Sequence, residues 1–157
     1  MRRQAPLAAI AALALLMTVS LSTVSAAGMR AGVFRLTLTG NQEATATCTA
    51  PAVCGDPNAL ALMILIVIPA RDAVCYLTKW TGIDGTVVAA HIHLARIGVP
   101  GGVVVPLFSG TFGSTDQIRG CVSAKGLAGA ILAHPAAYYV NIHSTVYPAG
   151  AVRTQLG

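Results

Sequence analysis

From Phe34 onward, apolar and polar positions alternate along the chain with a period of two. In Phe34-Arg35-Leu36-Thr37-Leu38-Thr39, Phe34, Leu36 and Leu38 share one face and Arg35, Thr37 and Thr39 the other. That pattern predicts a half-buried strand stopped at Gly40. Residues 59–68 form instead an unbroken apolar run between Pro57 and Pro69. The run is too short for a membrane helix, and its Ile and Val content predicts a strand buried on both faces. Further strands are expected over 74–80, 87–97, 103–108, 117–122, 138–144 and 151–156. Turn-forming stretches separate them, among them Ile83-Asp84-Gly85-Thr86, Gly98-Val99-Pro100-Gly101-Gly102 and Tyr147-Pro148-Ala149-Gly150. Only 124–133, rich in Ala and Leu and closed before Pro135, reads as helix. Seven or eight short strands, a turn about every ten residues and one short helix predict an all-β domain, a β-sandwich or small barrel.

The N-terminal stretch has a different pattern. Arg2 and Arg3 precede an apolar run from Leu7 to Val19, which small residues close at Val24-Ser25-Ala26 or Ser25-Ala26-Ala27. This order is that of a cleaved export signal, and the run falls short of the roughly 20 residues a spanning helix needs. The expected organisation is a signal peptide over 1–27 and one domain over 28–157. No membrane span remains after cleavage, and the location is extracytoplasmic, either secreted or periplasmic. Cysteine usage agrees with export, because Cys48, Cys54, Cys75 and Cys121 are even in number and none is spaced C-x-x-C. Of the three possible pairings, the expected one joins Cys48 to Cys54 around a short loop and Cys75 to Cys121 across the domain.

Composition narrows function mainly by exclusion. The chain is 55% hydrophobic and 10% charged, against about 25% charged for an average soluble domain, so it is too apolar to be disordered. Five Asp plus Glu in the whole chain leave little material for an acid–base hydrolase. Cleavage would remove Arg2 and Arg3 and take the formal charge from +5 to +3, and the eight basic residues left (Arg30, Arg35, Arg71, Lys79, Arg96, Arg119, Lys125 and Arg153) are scattered singly. Nucleic-acid binding needs basic charge gathered on one face with stacking aromatics, and that is not expected here. No G-x-S-x-G elbow, Walker A loop or strand-borne G-x-G-x-x-G occurs, and no catalytic residue is assigned. A weakly charged surface of this kind suits association, including self-association.

Histidine placement is the one candidate for chemistry. On a strand, His91 and His93 point the same way, with Ala90, Ile92 and Leu94 opposite. In Tyr139-Val140-Asn141-Ile142-His143, the residues Tyr139, Asn141 and His143 share a face, with Val140 and Ile142 opposite. If the two strands are near neighbours, His91, His93 and His143 converge, and imidazole suits zinc or copper. The alternative is that these rings hydrogen-bond backbone carbonyls and bind nothing. His134, at the end of the helical stretch, is expected to be a solvated helix-end residue and no fourth ligand.

The same segments resemble the CHRD domain, first described in chordin. The resemblance lies in Ala90-His91-Ile92-His93 before a Gly-rich turn, in Tyr139-Val140-Asn141-Ile142-His143-Ser144, and in Pro148-Ala149-Gly150-Ala151-Val152-Arg153-Thr154-Gln155-Leu156. The opening Phe34-x-Leu36-x-Leu38-x-Gly40-x-Gln42-Glu43 is similar too. It implies a secreted, immunoglobulin-like, Greek-key β-sandwich with no established catalysis that binds a protein or surface partner. Arg153 is expected to pair with a carboxylate or with backbone carbonyls near the sheet; Glu43 is the candidate carboxylate, since both residues fall in the family-like motifs. A fainter similarity is to copper/zinc superoxide dismutases, whose copper ligands His91, His93 and His143 would match and whose substrate-guiding Arg would be Arg153. The metal-bridging His and zinc-ligating Asp of that family have no counterpart here.

Overall fold

The computed structural model describes residues 30–48 and 53–157; the expected signal peptide lies outside the described residues. The strands are β1 (Gly32–Thr39), β2 (Leu60–Ile68), β3 (Ala73–Thr81), β4 (Val87–Leu94), β5 (Gly102–Ser109), β6 (Gln117–Ser123), β7 (Tyr138–Ser144) and β8 (Val152–Gln155). One helix, α1 (Ala128–Ala133), precedes β7. All pairings are antiparallel, in a single eight-stranded sheet of order β5-β4-β7-β8-β1-β2-β3-β6. The sheet folds on itself, so that β5-β4-β7-β8 faces β1-β2-β3-β6 across one core. The two halves join where Thr39 of β1 pairs with Arg153 of β8. The edges β5 and β6 also approach each other, which makes the sandwich nearly a closed barrel.

Alternation builds that core. Ala61, Met63, Leu65 and Val67 of β2 and Val74, Tyr76 and Trp80 of β3 point inward from one half. Ala90 and Ile92 of β4, Val105 and Leu107 of β5, Val140 and Ile142 of β7, and Val152 of β8 meet them from the other. Burying a Val, Leu or Ile side chain stabilises by roughly 1.5–3 kcal/mol, so this interdigitated layer holds the fold. Pro106 sits on β5, an edge strand, where the missing N–H costs no central ladder bond.

Three expectations about elements need correction. β2 is buried on one face only: Leu60, Leu62 and Ile64 are 37%, 56% and 38% exposed. A single core layer covers just one side of the sheet, and no described segment lies over the outer side of β2. The helix is shorter than expected, because Lys125 and Gly126 take positive φ of 53° and 84° and the Asp72 carboxylate accepts the Gly126 N–H at 2.7 Å. β4 ends at Leu94, and residues 95–101 leave the sheet. Both disulfides form as expected, Cys48–Cys54 and Cys75–Cys121, the second between directly opposed positions of β3 and β6.

Candidate metal centre

β4 and β7 are direct neighbours, and their register sets His143 opposite Ala89, Asn141 opposite His91 and Tyr139 opposite His93. β8 continues the row, with Arg153 opposite Asn141 and Gln155 opposite Tyr139. Period-two alternation therefore gathers the histidines, Tyr139, Asn141, Arg153 and Gln155 on the face turned away from the core. Their neighbours Ala90, Ile92, Val140, Ile142 and Val152 fill the core.

The polar face is roofed by residues 95–101. Arg153 donates from Nη1 to the Val99 carbonyl at 3.0 Å and from Nη2 to the Arg96 carbonyl at 3.1 Å. Gln155 donates from Nε2 to the Ala95 carbonyl at 2.8 Å, and the Gly101 N–H donates to the Tyr139 hydroxyl oxygen at 3.1 Å. A Cβ at Gly101 would strike the Leu94 carbonyl oxygen, so the loop closes this tightly only with glycine there. From the strands flanking β7, His93 stacks on Tyr139 with centroids 4.6 Å apart, and the Arg153 guanidinium lies 3.4 Å from the same ring.

Of its two expected kinds of partner, Arg153 takes the carbonyls and not the candidate carboxylate, Glu43. Its planar fork fits two carbonyls of a loop that has no strand partner, whereas the Glu43 carboxylate accepts the Ala44 N–H on Oε1 at 3.1 Å and keeps Oε2 buried without a hydrogen-bond partner. Glu43 and Arg153 still attract through space, but burial dominates and raises the Glu43 pKa. Arg153 is also 1% exposed, so it cannot guide an anion in from solvent as the dismutase similarity would require.

The three histidines do converge. His91 Nδ1 lies 3.1 Å from His143 Nε2, and one nitrogen from each of the three rings falls within 4.8 Å of the others. The remaining contacts decide the tautomers. His93 Nδ1 lies 2.8 Å from the Gly101 carbonyl and His143 Nδ1 3.0 Å from the Pro148 carbonyl. A carbonyl only accepts, so both Nδ1 atoms carry the proton and both Nε2 atoms present a lone pair when the rings are neutral. Metal-ligating histidines are commonly held this way, the outer nitrogen on a carbonyl and the inner one free.

Burial keeps the rings neutral. Desolvation, with the His143 and His93 charges adding to it, lowers the His91 pKa to about 4. Desolvation also lowers His93, where the Arg153 charge adds to the effect, and His143, where the His93 charge does. His91 is half-buried and forms the accessible edge, while His93 and His143 are buried. His134 is exposed at the end of α1 and stands outside the cluster, as expected. Backbone carbonyls were the alternative partners that the sequence offered for these rings, but it did not single out Gly101 and Pro148. The signals for them were the Gly-rich stretch directly after β4 and Pro148 five residues beyond His143.

An antiparallel sandwich held by two disulfides, with an ordered histidine face under a short loop, defines a β-module of the kind that fits an extracellular protein. The family model of the CHRD domain matches residues 34–156. The chain belongs to that family. No curated protein and no solved structure matches it.

Proposed function

We propose that this chain is an exported CHRD module that acts by binding, without catalysis, and that its docking surface for a protein or cell-surface partner is the outer face of β1-β2-β3-β6. One row across that face carries the reading: Arg35 pairs with Ile64, Ile64 with Leu77, and Leu77 with Arg119. Ile64 and Leu77 are 38% and 44% exposed, and Leu62 next to them 56%. Shallow depressions of about 460 and 580 Å³ lie on either side of the Ile64–Leu77 ridge. Depressions of that size take side chains, and bracketing arginines favour carboxylates, so the fitting partner is a protein segment with apolar residues between acidic ones. A second copy supplies few such groups, since Glu43 and Asp56 are buried and Asp116 already faces Lys79 at 3.3 Å.

The experiment is co-sedimentation of the purified protein with envelopes of the producing cell, compared with Ile64→Asp/Leu77→Asp. Saturable, protease-sensitive retention that the double variant loses by tenfold or more supports the surface. Equal retention of both proteins, or none of either, overturns it. The histidine face supports a second function, copper or zinc binding, because two of its three rings have their outer nitrogens tied to carbonyls.

A further inference from the structure

The hydrogen bonding of the histidine face is one positive charge short. Asn141 Oδ1 lies 2.9 Å from His93 Nε2, and the Asn141 amide is close enough to the buried Glu43 carboxylate to act against the rise in its pKa. Since His93 Nδ1 already donates to Gly101, a neutral His93 sets a nitrogen lone pair against an oxygen lone pair at hydrogen-bond distance. A few ångströms away, His143 Nε2 offers a second lone pair, 3.1 Å from His91 Nδ1. Two ligands on one tetrahedral ion, each bonded at about 2.0–2.1 Å, lie roughly 3.3 Å apart. Both separations are close to that spacing, whereas the three histidine nitrogens spread over up to 4.8 Å, so the His91–His143 pair and the His93–Asn141 pair must draw together by about 1.5 Å around the ion.

The geometry points to a four-coordinate N3O zinc-type site made of His91 Nδ1, His93 Nε2, His143 Nε2 and Asn141 Oδ1, with Glu43 as the residue that holds the Asn141 amide in its ligating orientation. This assignment rests on the metal-binding reading of the three histidines and adds the fourth ligand. An oxygen donor from the chain itself closes the shell. The site is then a structural or storage centre for a divalent ion, with no position left for a substrate. Three borderline nitrogen donors and one neutral oxygen suit zinc, which has no geometric demand beyond four ligands. Entry is past His91, the half-buried edge of the cluster.

The test is calorimetric titration of the purified, chelator-treated exported protein with Zn2+, together with visible spectroscopy of the Co2+ form. The expected results are one Zn2+ per chain and intense four-coordinate Co2+ bands that do not move when azide is added. His91→Ala should weaken Zn2+ binding by more than the roughly 10- to 100-fold typical of losing an outer-shell partner. Asn141→Ala should also weaken it by more than that outer-shell factor, and Asn141→Asp, which keeps the oxygen, should recover binding. Co2+ bands that shift with azide in the wild-type protein would show an open fourth position and overturn the Asn141 assignment while leaving the three-histidine reading intact. That readout needs no variant, so a misfolded Asn141→Ala protein does not block the decision. Wild-type protein that takes up neither ion overturns both readings; protonated Glu43 with a reversed Asn141 amide would then satisfy the face without metal.

Discussion

Arg153 is the largest fully buried side chain among the described residues, and it is charged. It is tolerated there because two carbonyls and an aromatic face replace its water, and removing such partners from a buried charge is costly. The histidines solve the same problem differently, by staying neutral. Their lowered pKa values have a clear sign for stability. The unfolded chain takes up protons near the ordinary value of 6.5, while folded His91 resists until about 4. Their contribution is therefore fully present above 6.5 and is lost as the pH falls from there through 4. Glu43, raised by burial, acts in the opposite sense and gives up its contribution as the pH rises through its own pKa. Urea unfolding in the presence of a chelator should therefore show stability dropping between pH 6.5 and 4. His91→Gln, which removes one titrating ring, should show a smaller drop. A variant with the same acid limb as wild type would count against His91 as a contributor.

At the level of elements, β2 and the β3–β6 pair carry the lesson. The uniform apolar run of β2 hid its alternation, because the outward Leu60, Leu62 and Ile64 are as apolar as the inward Ala61, Met63 and Leu65. Period-two reasoning fails when both phases carry the same kind of residue. The β3–β6 pair was legible as a guess at cysteine pairing, and its register explains why that guess works: Cys75 and Cys121 stand directly opposite. This bridge spans 46 residues of sequence and Cys48–Cys54 spans 6. On the chain-entropy account, the long bridge stabilises by about 4 kcal/mol and the short one by about 2 kcal/mol. Urea unfolding of Cys75→Ser/Cys121→Ser should lose about twice the free energy lost by Cys48→Ser/Cys54→Ser. The reverse order would mean that β3 and β6 stay paired in the unfolded chain.

Over the whole molecule, the two sheet faces outside the core serve different ends. The face of β4-β7-β8 is polar and is closed over by its own loop, whereas the face of β1-β2-β3-β6 is exposed, with an apolar centre at Leu62, Ile64 and Leu77 flanked by Arg35, Lys79 and Arg119. Because Ile64 and Leu77 point away from the core, Ile64→Asp/Leu77→Asp should change the unfolding free energy by no more than about 1 kcal/mol while raising the solubility limit in salt. A loss of several kcal/mol would mean that the outer row supports the fold itself and is not free for a partner.

The sequence by itself determined the number of strands to within one, the polar and apolar phases of β4 and β7, and the family. All of these follow from local alternation, turn residues and motif spacing. Only the tertiary structure decided that β4 and β7 are adjacent, that residues 95–101 fold over the histidines, that Arg153 binds carbonyls and not Glu43, and that the outer side of β2 stays uncovered. Each of these depends on which distant segments meet. Residue order along a strand records the direction of a side chain; what waits there is set by the packing of the other strands.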